Sequence, residues 1–147
     1  MSMSASKVRA GELLALGGGA CVIVSLFVPS YESPAGVLKA FDTFGPGVVL
    51  PLAATASALG LFVATLSEHS TAVPVAATVW TLLLGFIATI AALVRVFERP
   101  DRATAVCSGP WLALAGALAI LTGAWMSTHD ERRSLYPPAT PPARPAP

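Results

Sequence analysis

Charge is what this sequence has least of. Asp, Glu, Lys and Arg make up only 12% of its 147 residues, about half of the roughly 25% usual in a soluble domain. Nine basic and eight acidic side chains leave a net charge of +1, which gives no basic stripe of the kind nucleic-acid binding needs. Cysteine is nearly missing, and two thiols, Cys21 and Cys107, cannot staple a disulfide scaffold. There is no Walker loop, no HExxH pair and no GxSxG elbow, so the familiar nucleotide, zincin and hydrolase readings have no support. His69 and His129, with Glu68 beside the first, are too few ligands for a closed metal site. No catalytic residue, metal ligand or cofactor is expected, and the chain reads as non-enzymatic.

The absences are ordered along the chain. Four stretches carry no Asp, Glu, Lys, Arg or His: Leu13 to Tyr31 (19 residues), Thr43 to Ser67 (25), Ser70 to Val94 (25) and Ala103 to Thr128 (26). A helix needs about 20 apolar residues to cross roughly 30 Å of hydrocarbon. A chain this short has too much surface to hide four such segments in a water-soluble core. The fold class is therefore all-α: a four-helix transmembrane bundle over 1–128, with helices near 10–28, 48–66, 73–97 and 110–127. The turn at 67–71 is short enough to make helices two and three antiparallel neighbours. Lys7 and Arg9 before an apolar run resemble a secretory signal, but the run continues to Val28 with no small-residue cleavage site, so helix one is expected to stay.

Between helices one and two, Ser33 and Pro34 read as an N-cap and first turn, with Val37, Leu38 and Phe41 at helical spacing. Either a short interfacial helix or an irregular loop follows from this. After Thr128 come Asp130, Glu131, Arg132, Arg133 and then six prolines from Pro137 to Pro147. Such a tail, 129–147, buries too little to fold and is expected to be disordered and partly polyproline. Its PxxP spacings at Pro138 and Pro142 are weak docking patterns beside a plain solvated end.

Lys7 and Arg9 flank the first helix and set the expected orientation. Both termini are then cytoplasmic and the protein spans the plasma membrane. Lys7, Arg9, Arg132, Arg133 and Arg144 lie inside against Lys39, Arg95, Arg99 and Arg102 outside, a margin of five to four. Phe27, Tyr31, Phe41, Phe44, Phe97 and Trp111 collect at the outer boundary and Trp125 at the inner one, as interfacial aromatics do.

Small residues recur every four positions at Gly17, Cys21 and Ser25 on helix one and at Ala115, Ala119 and Gly123 on helix four. They are the candidates for close helix packing. None of the four cores holds a charge. Glu12 and Arg95 sit at helix ends, where long side chains reach the interface. Arg95, Glu98, Arg99 and Arg102, with Asp101, form a mixed cluster that reads as a solvated face, or as an outer-surface contact for lipid phosphate or an acidic loop. Cys21 and Cys107 lie at different depths, too far apart for a disulfide. A shared glycine and LeuAlaLeu pattern in Gly11–Val28 and Gly109–Met126 reads as coincidence rather than a repeat.

Several local features resemble a loose group of small, uncharacterised four-span membrane proteins of high-GC Gram-positive bacteria. They are LeuPheValProSerTyr closing helix one, AlaPheAsp at Ala40 to Asp42, and GlyProTrpLeuAlaLeuAlaGly through GlyAlaTrp in helix four. The resemblance covers most of the region before the proline tail and implies the four-span fold. It carries no activity, substrate or catalytic residue; where the group has ProTrpTyr, this chain has ProSerTyr.

The leading expectation is a structural or accessory component of a membrane assembly, with the bilayer and membrane-protein partners or further copies of itself as its contacts. The alternative is a small oligomeric transporter or channel lined by Thr55, Ser57, Thr78, Thr81 and Thr89. A surface enzyme using Arg95, Glu98 and Arg102 comes third.

Overall fold

A computed structural model of the chain describes residues 10–66, 72–98, 100 and 103–134. Its elements are α1 (Ala10–Phe27), β1 (Pro29–Ser33), β2 (Gly36–Lys39), α2 (Ala40–Phe44), a 3-10 turn (Gly45–Val48), α3 (Val49–Leu66), α4 (Ala72–Phe97), β3 (Ala105–Val106) and α5 (Ser108–Ser134). Four segments are long and apolar enough to cross a membrane: Ala10–Phe27, Gly45–Leu66, Val75–Phe97 and Ser108–His129. This is the architecture of a multi-pass membrane protein. α1 and α4 each pack against both α3 and α5, so the spans close a ring in the order α1, α3, α4, α5.

The sorting of side chains is the reverse of that in a water-soluble bundle. Ala15, Ala54, Ala58, Ala117 and Ala124 fill the interior, whereas Val79 and Trp80 stand outward at 62% and 61% exposure. Lipid tails solvate large apolar side chains as well as a protein core does, so cohesion comes from close packing and hydrogen bonds. The Thr81 hydroxyl supplies one such bond. It lies 2.8 Å from the Ala77 carbonyl of its own helix and 3.0 Å from the Ser57 carbonyl on α3, tying α4 to α3.

α1 and α5 meet along a glycine seam. A methyl group on Gly18 would lie 2.6 Å from the Gly116 carbonyl oxygen, and one on Gly116 would lie 2.7 Å from that of Gly18. Seven residues along each helix, Gly11 meets Gly123 in the same way, with Ala15 between. The expected stripes are offset from this seam. Gly17 is exposed, Cys21 half-buried and Ser25 buried; Ala115 is exposed, Ala119 half-buried and Gly123 buried. At 3.6 residues per turn, steps of four drift by about 40° each, so both stripes cross from the lipid face to the interior. Near-antiparallel helices instead hold contact through alternating steps of three and four.

The loop after α1 holds the main departure from expectation. Ser33 and Pro34 do not start a helix; they end β1 and begin the turn to β2. Ser33 Oγ accepts a hydrogen bond from the Ala35 amide at 3.2 Å, and Gly36 follows at φ +127°, a backbone region open chiefly to glycine. A short helix does form, but later, as α2, where Asp42 accepts from the Lys39 amide at 3.1 Å. β1 is the central strand of a three-stranded sheet, β2-β1-β3. Tyr31 pairs with Leu38 on one side and Val106 on the other.

α5 runs to Ser134, beyond the expected end near 127. The switch to charged residues there ends the apolar span, but Glu and Arg are good helix formers and do not stop the helix. The turn at 67–71 and the proline-rich segment from 135 onward lie outside the described residues.

Candidate functional site

The sheet caps one end of the bundle, and two side chains join them. Tyr31, on the central strand, is completely buried. Its hydroxyl donates to the main-chain carbonyl of Arg95 in the last turn of α4 at 2.7 Å. Burial pushes the Tyr31 phenol above its ordinary value, with the nearby Arg95 charge working in the opposite direction. Arg95 in turn reaches the 3-10 turn, its Nη2 lying 3.4 Å from the Gly47 carbonyl oxygen. The Cys107 amide donates to the Ser30 carbonyl at 3.0 Å. Gly109 lets α5 start directly beneath β1, since a methyl there would lie 2.8 Å from Ser30 Oγ.

Beneath this cap the helices leave a cavity of about 40 Å³. Its walls take five alanines from α4 and α5, Val22, Ser25 and Leu26 from α1, and Leu50 and Pro51 from α3; Ser30 and Arg95 also line it. Ser25 Oγ donates to the Val22 carbonyl at 2.6 Å. Ser30 is only 1% exposed, yet the acceptor for its hydroxyl is the Val28 carbonyl at 3.5 Å, where little of a hydrogen bond remains.

The residues singled out from sequence separate into distinct places. Arg95 lies on the cavity wall rather than simply extending to the interface, because α4 ends under the sheet. Glu98 is exposed, and Arg99 and Arg102 lie outside the described residues. At the opposite end of α1, Glu12 is buried at 4% exposure, where an extended surface-reaching side chain is expected from sequence. The hydroxyls of the transporter reading are engaged along their own helices. Thr55 donates to the Pro51 carbonyl at 2.9 Å, Ser57 to Ala54 at 2.8 Å and Thr89 to Gly85 at 2.7 Å. None of the five, Thr78 and Thr81 included, lines the cavity.

Tyr31 and Ser30 are the site residues that sequence reasoning does not single out. Tyr31 reads there as an interfacial aromatic, and nothing local distinguishes it from Phe41, which is exposed. Outside the cavity, two helical glycines have open space around them: Gly17 on α1 and Gly60 on α3 would each accept a side chain without meeting any atom within 4 Å. No family model, curated protein or solved structure matches this chain.

Proposed function

We propose that this multi-pass protein is a non-enzymatic structural or accessory component of a membrane assembly, needing no cofactor. In this reading it resides in the cell membrane with both termini cytoplasmic. It meets its partner, another membrane protein or a further copy of itself, through outward-facing helix surfaces. The observation that carries the reading is the pair of open glycines. Glycine within a helix is less favourable than alanine by up to about 1 kcal/mol, and Gly11, Gly18, Gly116 and Gly123 offset this by bringing α1 and α5 together. Gly60 gains nothing comparable inside the bundle, since no atom lies within 4 Å of where its side chain would be. With Ala56 one turn earlier on the same exposed face, it forms a small-residue pair on which another membrane helix can pack closely.

The test uses the full chain in its native membrane. Gentle solubilisation followed by native mass spectrometry should yield a complex of fixed composition. Gly60→Leu and Gly17→Leu should leave the bundle folded, judged by helicity and unfolding midpoint, yet release the partner. Retention of the same complex by both folded variants would contradict the proposal. Labelling Cys107 with a membrane-impermeant maleimide tests the orientation, which requires reaction from the outer side.

A further inference from the structure

Small residues close the seam between α1 and α5, yet beneath the sheet the same residue types border about 40 Å³ of space. Atoms facing such a space lose dispersion partners, so helix packing does not account for it. Ala88, Ala92 and Ala117 are buried on its walls and present only methyl groups. Two of the polar side chains there are already engaged. Ser25 donates its proton to the Val22 carbonyl at 2.6 Å, and the Arg95 guanidinium is turned to the Gly47 carbonyl at 3.4 Å. Ser30 differs from both. It is 1% exposed, and the acceptor for its hydroxyl proton is the Val28 carbonyl at 3.5 Å. A buried donor with so poor an acceptor is unfavourable unless something better reaches it.

Volume and polarity together define what fits. One water-sized atom needs roughly 10–15 Å³ of such space, so the cavity holds about three heavy atoms. A cluster of waters filling it would seek about three hydrogen bonds for each molecule, which walls of alanine do not supply. An ion is a worse match still, because among methyl groups it lacks the hydrogen bonds and counter-charge it needs. We propose that the cavity binds a neutral molecule of about three heavy atoms. One of them is an oxygen that accepts the Ser30 proton, and the rest are carbons lying against Ala88, Ala92 and Ala117. Short alcohols and aldehydes are the class with this make-up: a single acceptor to match the single poorly satisfied donor, and an apolar remainder to match the methyl groups.

The test places the full chain in phosphatidylcholine nanodiscs with isotope-labelled alanine methyl groups and follows their magnetic resonance signals as ethanol is added. Saturable shifts at Ala88, Ala92 and Ala117 are expected, with cross-relaxation from the ethanol methyl to the same groups. Ala56 and Ala115, which face outward, should drift linearly as ethanol enters the lipid. In n-butanol, too long for the space, the cavity methyls should drift in that way too. Ser30→Ala should weaken ethanol binding about fivefold, the loss of one neutral hydrogen bond. Ala92→Leu fills the space and should abolish saturation; should that variant not fold, Ser30→Ala and n-butanol still decide the matter. A linear response at every methyl overturns the proposal, as does saturation that n-butanol shares or that Ser30→Ala leaves at full affinity. No partner protein is present in the discs, so the result stands apart from the fate of the assembly reading.

Discussion

Tyr31 and Arg95 are 64 residues apart in sequence and 2.7 Å apart in the fold, phenolic hydroxyl to main-chain carbonyl. The bond fastens the central strand of the sheet to the end of α4 through a carbonyl in the helix's last turn, where carbonyls take donors from outside the helix. Replacing Tyr31 by Phe keeps the ring and removes the donor. The loss should cost about 1–2 kcal/mol, read from denaturant titration in mixed micelles, with helicity unchanged. A variant as stable as the parent would show that the bond contributes nothing net.

The same burial predicts a pH response. The phenol of Tyr31 is raised above 10.0, so its contribution is fully present below the ordinary tyrosine value and is lost as pH rises through the raised one. In a Tyr136→Phe background Tyr31 is the sole tyrosine, because the chain has two. Its absorbance should then titrate later than that of a free phenol, and the unfolding midpoint should stay level to about pH 10 before falling. Titration at or below the free value would contradict the burial.

Along the α1–α5 seam, Gly18→Ala and Gly116→Ala each force a methyl group against a carbonyl oxygen. Each should destabilise by about 1–3 kcal/mol, the usual cost of overpacking. Gly60→Ala and Gly17→Ala meet open space and should instead stabilise the isolated bundle, by roughly 0.5–1 kcal/mol. Equal effects at all four positions in one unfolding assay would mean that the seam is not where the helices touch.

Thr81→Val retains the branched shape and removes the proton shared between Ala77 and Ser57. Interhelical hydrogen bonds in membranes contribute about 0.6 kcal/mol on average, and the α3–α4 pair should loosen by that order. Faster amide exchange in both helices, with α1 and α5 unaffected, is the expected signature.

The four spans were legible because lipid imposes a one-dimensional requirement: about 20 apolar residues without charge, which Leu13 to Tyr31 and its three successors meet. The seam was legible only in kind. Small residues on α1 and α5 announced close packing, but the choice of Gly18 over Gly17 depends on the angle at which two helices meet, which spacing along one helix does not contain. The sheet was less visible still. β3 has two residues, Ala105 and Val106, and it becomes a strand only because the loop before α5 lies beside Glu32 and Tyr31.

The sequence by itself determined that the chain crosses a membrane four times, since each helix satisfies its own backbone and meets lipid alone if it must. Only the tertiary structure decided what gathers beneath the sheet. Ser30, Tyr31 and Arg95 come from segments more than sixty residues apart, and their burial, their hydrogen bonds and the cavity between them exist only once α4 and α5 have closed the ring against α1.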